Sequence, residues 1–258
     1  MEKGINMEKL DKFFSDRNAV KKLTDDDLLQ TENYFDIVEA FARISYKSIY
    51  IIDYQKKAFE YVSDNPLFLC GLKPQEVKEL GYGFYFRNVK DDDLNLLFKI
   101  NEVGFEFFEK LPLNERKLYT ISYDFHITNE KGKDILINHK LTPVFLTEEG
   151  KIWKAMCIVA LATENTSGNI TISKHSSETI WKFDLVNEVW STEQKVQLTD
   201  RELEILRMHA MGLTINEIAE RIFLSVDTVK FHRRKLFEKI DVHNITEALA
   251  FAINNKLL

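Results

Sequence analysis

Three hydroxyl residues near the end of the chain, Thr199, Thr214 and Ser225, each stand at the head of an apolar repeat of helical period. Such side chains accept hydrogen bonds from the free N–H groups of a helix's first turn, so each position predicts a helix start. Glu202 and Glu217 lie three residues after the first two, where a capping box places its reciprocal carboxylate. Leu203, Leu206 and Met208 follow Thr199, and Gly212 suits a left-handed C-terminal cap. Ile215, Ile218, Ala219 and Ile222 form the inner face of the second helix, and Phe223-Leu224 leaves room only for a tight connection before Ser225. Short helix, brief turn, longer basic helix is the helix-turn-helix plan for entering a DNA major groove.

The third helix has two distinct sides. At ~100° per residue, with Val229 at zero, Leu236 falls at roughly 340°, Ile240 at roughly 20° and Arg233 at roughly 40°. Lys230 then lies at roughly 100°, Arg234 at roughly 140° and Phe231 at roughly 200°, away from the apolar stripe. Lys and Arg can donate to guanine O6 and N7 or to phosphate, and an aromatic edge can meet a thymine methyl.

Net charge at first argues the other way, because the chain has 35 Lys and Arg against 41 Asp and Glu. That surplus of acid belongs to residues 1–195; residues 196–258 hold nine cations and nine acids. Five of those cations lie between Lys230 and Lys239, where Glu238 alone opposes them, which makes a local positive patch. The longest apolar run, Ala155 to Ala162, is far short of the ~18 residues a membrane-spanning helix needs, and Met1-Glu2-Lys3-Gly4 begins no apolar signal core. Cys70 and Cys157 lie in apolar segments without a second Cys or His at metal-ligand spacing, so packed, reduced thiols and a cytoplasmic setting are expected.

Length calls for two domains, since 258 residues exceed one ordinary core. Thr24 before Asp25, Asp26 and Asp27 predicts a helix whose apolar residues, Leu28, Tyr34, Phe35, Ile37, Val38, Phe41 and Ile44, pack one face on the molecule's own sheet or on a partner. Ser48 to Asp53 and Lys57 to Ser63 read as a hairpin around Gln55-Lys56. Residues 65–111 look helical but broken, with stops at Gly71, Pro74 and Gly81 to Gly83 and a restart at Asp91-Asp92-Asp93. From Tyr119 to Thr128 aromatic and β-branched residues alternate strictly with polar ones, a strand with one buried face. Asp134 to Phe145 and Ile152 to Thr163 supply two more strands of a meander.

That order, with Tyr61-Val62-Ser63-Asp64-Asn65 and Cys70-Gly71-Leu72-Lys73-Pro74 as local features, resembles a PAS domain over residues 45–165. The resemblance implies a sensory or dimerising module with a small interior cavity. Asp53 ends an apolar strand as the phosphorylated Asp of a receiver domain does, but a receiver needs an acidic pair and alternating parallel β–α units, which are missing here. Photoadduct-forming flavin PAS domains carry Asn-Cys-Arg-Phe-Leu, and the flanks of Cys70 differ. His126 falls on the polar face of its strand, and His139 shares a face with Ile135, Ile137 and Leu141, which favours a satisfied core histidine. Residues 164–169 read as a loop, Ile180 to Trp190 as one more hairpin whose tryptophans need something to pack on, and Gln194 to Gln197 as a hinge.

At the C-terminus Leu198-Thr199, Arg201-Glu202, Glu204-Ile205-Leu206, Gly212, Asn216-Glu217-Ile218-Ala219, Ser225, Thr228-Val229-Lys230, His232, Leu236, Lys239-Ile240 and Val242 together resemble the LuxR-type DNA-binding domain across residues 198–257. The resemblance implies that Lys230, Phe231 and Arg234 face bases and that Thr228, His232 and Arg233 sit near phosphates. Lys235 stands where the family usually has Asn and adds a possible phosphate contact; Ile245 stands where it usually has Arg, which removes one. The last helix, Thr246 to Asn255, is implied to pair two subunits through Ala248, Leu249 and Ala252, with core packing an equal alternative for each.

The expected architecture is therefore a helical segment at 1–44, an α+β PAS-like domain of antiparallel sheet and flanking helices at 45–165, a linker with a hairpin at 166–197, and an all-α LuxR-type helix-turn-helix domain at 198–258. Double-stranded DNA, a second copy of the chain and a small ligand in the PAS-like domain are the expected partners; no cofactor is identified. The sequence has no phosphate loop, His-Glu-x-x-His motif or nucleophile motif, so a regulator is favoured over a signalling enzyme or a protein-interaction scaffold whose tail docks to DNA.

Overall fold

A computed structural model describes residues 12–20, 23–24, 34–255 and 257. It divides into two compact units, Met1–Glu193 and Gln194–Leu258. The expected helix start at Thr24 to Asp27 lies mostly outside the described residues.

The first unit begins with helix α1 (Tyr34–Ser45), whose buried residues Tyr34, Val38 and Ala42 recur every four positions. They pack on Ile49 and Ile51, the outward side chains of β1 (Ser48–Asp53). The hairpin to β2 (Ala58–Val62) turns because the Asp53 carboxylate accepts from the backbone N–H groups of Gln55 and Lys56, at 2.9 and 3.0 Å, and Lys57 takes φ +52°. Four helices follow: α2 (Pro66–Leu69), α3 (Pro74–Leu80), α4 (Gly83–Asn88) and α5 (Asp91–Glu109). Pro74, expected as a stop, opens a helix instead, since its missing N–H costs nothing at the first position. The acids Asp91, Asp92 and Asp93 fill the first turn of α5, favourable to its dipole.

A short 3-10 turn (Leu113–Leu118) leads into β3 (Tyr119–Thr128), β4 (Asp134–Leu146) and β5 (Ile152–Leu161). With β6 (Gly168–Lys174), β7 (Thr179–Asp184) and β8 (Val189–Gln194) they form one eight-stranded sheet in the order β2-β1-β5-β4-β3-β6-β7-β8. The first five strands, antiparallel with helices between β2 and β3, make the N-terminal unit PAS-like. Its inner face, including Tyr50, Ile52, Phe125, Ile137, Ala155 and Cys157, is buried under the helices. Cys70 and Cys157 are free and buried.

Residues 166–197 differ from the expected linker. A strand, β6, pairs directly with β3, Ile121 opposite Ile172, and the expected hairpin, β7 and β8, continues the sheet beyond it. The physical reason lies in the aromatic residues: Trp181 packs on Phe107 and Tyr119, and Trp190 on Phe107 and Phe183, with ring centroids 5.0 to 5.7 Å apart. An open-edged β3 is covered by this extension rather than left to solvent.

The second unit contains α6 (Asp200–Ala210), α7 (Ile215–Arg221), α8 (Val226–Ile240) and α9 (Ile245–Asn254). Thr199 and Thr214 each close a capping box, and Ser225 accepts from the Thr228 N–H at 3.1 Å. Gly212 takes φ +85° after the first of these helices, where a side chain would be strained. One apolar cluster joins Ile205, Ile218, Ala219 and Val229; a second joins Leu206, Leu236, Ile240, Ala248 and Ala252. Among the described residues no helix is long and apolar enough to cross a membrane.

Candidate nucleic-acid interface

Helix α8 is fixed from behind. Val229, Leu236 and Ile240 are buried at 0%, 1% and 5% exposure and dock it on α6, α7 and α9. The Ser225 cap sets where the helix begins, and therefore which side chains leave its first two turns toward solvent. Lys230, Phe231, Arg234 and Lys235 are exposed, while Thr228, His232 and Arg233 are half-buried along the flanks. All seven residues named for DNA contact thus lie on one helix and keep surface to offer, and the three expected to face bases, Lys230, Phe231 and Arg234, are on the side away from the core.

This face is partly self-neutralised. Lys230 Nζ lies 3.7 Å from Asp227, Arg234 Nε 3.8 Å from Glu238, and Lys235 Nζ 2.9 Å from the same Glu238, whose carboxyl is held below its usual range by the Lys235 hydrogen bond. Exposed one-turn pairs of this kind are weak, so a phosphate or guanine can displace them at little cost. The Arg234 guanidinium lies 5.8 Å from the Phe231 ring and that of Arg233 5.7 Å from the Phe237 ring, which limits how far either swings. Lys239 is committed elsewhere: it bonds the capping carboxylate Glu202 at 3.1 Å and ties α8 to the start of α6.

Two of the residues expected to pair subunits have the other role left open for them. Ala248 and Ala252 are at 0% exposure, packed on Leu206, Leu236 and Ile240 of their own unit. A residue so enclosed has no surface for a partner. Leu249 is half-buried, and the outward apolar residue of α9 is Ile253. The helix begins at Ile245, capped by the Asn244 side chain accepting from Glu247 N–H at 3.0 Å, one residue earlier than expected.

In the first unit, His126 is partly exposed and its Nδ1 sits 2.8 Å from the Asp93 carboxylate, so it is a paired surface group. His139 is buried and only half satisfied. Its Nε2 hydrogen-bonds the Tyr50 hydroxyl, and its Nδ1 has no partner. Burial lowers its pKa to about 3, so the ring is neutral. It lines a cavity with Tyr54, Tyr82, Tyr85, Tyr123 and the amide residue Asn101. These tyrosines were not singled out in the sequence; the signal was the alternation of Tyr50, Ile52 and Tyr54 along and just past β1 and of Tyr123 with Phe125 along β3. Among the described residues no cluster of His, Cys, Asp or Glu is arranged to hold a metal.

Residues 196–252 match the family model described as bacterial regulatory proteins, luxR family. The chain is 36% identical over 89 residues to the transcriptional regulatory protein YxjL of Bacillus subtilis, covering 34% of this chain and 39% of that one. It is 44% identical over 61 residues to the transcriptional regulatory protein LiaR of Bacillus subtilis, 24% of this chain and 29% of LiaR. With the oxygen regulatory protein NreC of Staphylococcus haemolyticus it shares 27% over 137 residues, 53% of this chain and 58% of NreC. The chain therefore spans well under two thirds of these relatives. Among solved structures, the VqmA dimer of Vibrio cholerae aligns with 86% of this chain and 87% of its own at 17% identity and TM-score 0.33. A PAS domain of an HTR-like protein from Haloarcula marismortui aligns with 54% of this chain and all of its own at 14% identity and TM-score 0.33.

Proposed function

We propose that this chain, which carries a luxR-family helix-turn-helix domain at residues 196–252, is a sequence-specific DNA-binding transcriptional regulator of the cytoplasm. It acts by binding and not by catalysis. The carrying observation is the two-sided α8: Val229, Leu236 and Ile240 buried behind it, Lys230, Phe231 and Arg234 exposed in front. In this role Lys230, Phe231 and Arg234 meet base edges in the major groove, and Thr228, His232, Arg233 and Lys235 position the helix on phosphates.

Two copies bind together. One short helix reads few bases, and pairing places the second at high local concentration over a half-site about one helical turn away. On α9 the available apolar surface is Leu249 and Ile253. On the N-terminal unit it includes the outer side of α1, where Phe35, Ile37, Phe41 and Ile44 are exposed. The PAS-like domain, read as 45–165 with the strands that extend it, controls the helix-turn-helix domain through a small ligand in its cavity.

Selection of bound duplexes from random oligonucleotides by the full chain tests this. A palindrome with half-sites about one turn apart is the expected result. Unchanged binding of that duplex by the Lys230→Ala/Arg234→Ala double variant overturns the groove assignment.

A further inference from the structure

Helix α8 carries an outward residue beyond those assigned to DNA. With Val229 at zero and ~100° per residue, Asp227 falls at roughly 160°, between Lys230 at roughly 100° and Phe231 at roughly 200° and nearly in line with Arg234 at roughly 140°. It belongs to the first turn of the helix, and its side chain is 94% exposed. The first residues of a recognition helix are the ones that reach base edges in the major groove. The helix start itself is held by another group, the Ser225 hydroxyl, which accepts from the Thr228 N–H at 3.1 Å.

A carboxylate on this face is a liability unless a base offsets it. Every duplex presents phosphates, so an acid that approaches one without a donor to meet it is repelled and loses hydration. Two groups in the major groove can donate to it: the amino groups at cytosine N4 and adenine N6. Each base pair holds one of them, so what a carboxylate reads is the strand that carries the amino group. Beside that group, on the paired base, stands a keto oxygen, guanine O6 or thymine O4, about 2.9 Å away because the two are hydrogen-bonded to each other. Asp227 and Lys230 match this arrangement, one acceptor and one donor 3.7 Å apart on a helix fixed from behind by Val229, Leu236 and Ile240. The side chains of Lys230, Phe231 and Arg234 offer no acceptor, so none of them can take an amino group.

We propose that Asp227 is a fourth base-reading residue of α8, accepting from the amino group of a cytosine or adenine while Lys230 donates to the keto oxygen of the paired base. The proposal rests on the major-groove reading of α8 and names a chemical group that its target must present. A G·C pair suits it best, since guanine offers the lysine two acceptors, O6 and N7, side by side. At a pair turned the other way Asp227 faces the keto oxygen and is repelled, which rejects sites that the cations of α8 alone would accept.

The test uses the full chain and its Asp227→Ala variant, with duplexes selected at fixed salt and affinities read by fluorescence anisotropy. The unsubstituted chain is expected to select half-sites in which the orientation of one base pair is fixed, and Asp227→Ala to lose that preference alone while binding random duplexes more tightly. Amino-deleted analogues, 2-pyrimidinone for cytosine and purine for adenine, are then placed at each position of the half-site in turn. At one position the deletion is expected to weaken the unsubstituted chain at least about fivefold and Asp227→Ala less than about twofold. Which analogue acts there decides between cytosine and adenine. Tighter binding of all duplexes by Asp227→Ala with every preference unchanged overturns the proposal, as does equal loss in both proteins at every deleted amino group. Should Asp227→Ala fold poorly, as judged by its Tm, the analogues with the unsubstituted chain decide: no position that responds overturns the proposal. A duplex selected and bound without such a position sinks the role of Asp227 and keeps the regulator, whereas failure to select any duplex sinks both.

Discussion

Lys230, Phe231 and Arg234 owe their exposure to residues that point the other way, since Val229, Leu236 and Ile240 hold the opposite side of the same helix in the core. Replacing Lys230 or Arg234 by Ala is expected to weaken binding of the selected duplex by about 1 to 3 kcal/mol each, measurable by fluorescence anisotropy at fixed salt. A residue of the opposite kind is His139, whose folded pKa, about 3, lies below the ordinary value of 6.5. As pH falls below ~6.5 the unfolded chain takes up a proton that the folded one refuses, so stability is lost progressively between pH ~6.5 and ~3, at up to about 1.4 kcal/mol per pH unit for this group. Carboxylates titrate in the same window, and His139→Gln isolates the histidine: its urea midpoint is expected to fall less steeply with acid than that of the unsubstituted chain.

At the scale of elements, capping residues decide where each C-terminal helix begins. Thr214→Ala removes the acceptor for Glu217 N–H and releases the reciprocal carboxylate, and should cost about 1 kcal/mol of the second unit's stability, visible as a lowered Tm. A buried ion pair does comparable work in the first unit. Lys154, on β5, is 4% exposed and bonds both oxygens of Glu60 on β2 at 2.8 and 2.7 Å, with Asp53 at 3.9 Å and the ring of Tyr34 from α1 close by. It fastens α1 to the outer face of the sheet. Glu60→Ala leaves that ammonium with Asp53 as its remaining carboxylate, beside the Tyr34 hydroxyl, and should destabilise the unit by about 3 kcal/mol, checked by chemical unfolding. The elements themselves were largely legible beforehand: β3 by its strict alternation, and α6 to α8 by their caps. β6 was not, because Gly168 to Lys174 alternates over only two apolar residues, Ile170 and Ile172, and its partner Tyr119 to Ser122 lies some fifty residues away. Pairing at that distance leaves no local mark.

For the whole molecule, DNA affinity should fall steeply with salt. Each phosphate neutralised contributes a slope of about −0.9 in log K against log salt concentration. Lys235→Ala, if it removes one phosphate contact per subunit of a pair, is expected to reduce the slope by about 2 while leaving the preferred sequence unchanged, as read from a titration over several salt concentrations. The chain's net charge of −6 would have hidden this, because its surplus of acids lies outside the C-terminal unit.

Sequence alone determined what depends on neighbours within one or two turns: the helix starts at Thr199, Thr214 and Ser225, the amphipathic split of α8, and the cationic stretch from Lys230 to Lys239. Capping and periodicity act over three or four residues, so they are written in the order of the chain. Only the tertiary structure decided that Ala248 and Ala252 belong to the unit's own core, that Trp181 and Trp190 extend the sheet, and that Tyr54, Tyr85, Tyr123 and His139 meet around a cavity. Those outcomes depend on which faces are left uncovered once distant strands have paired, and burial of that kind is a property of the packed molecule and of no local segment.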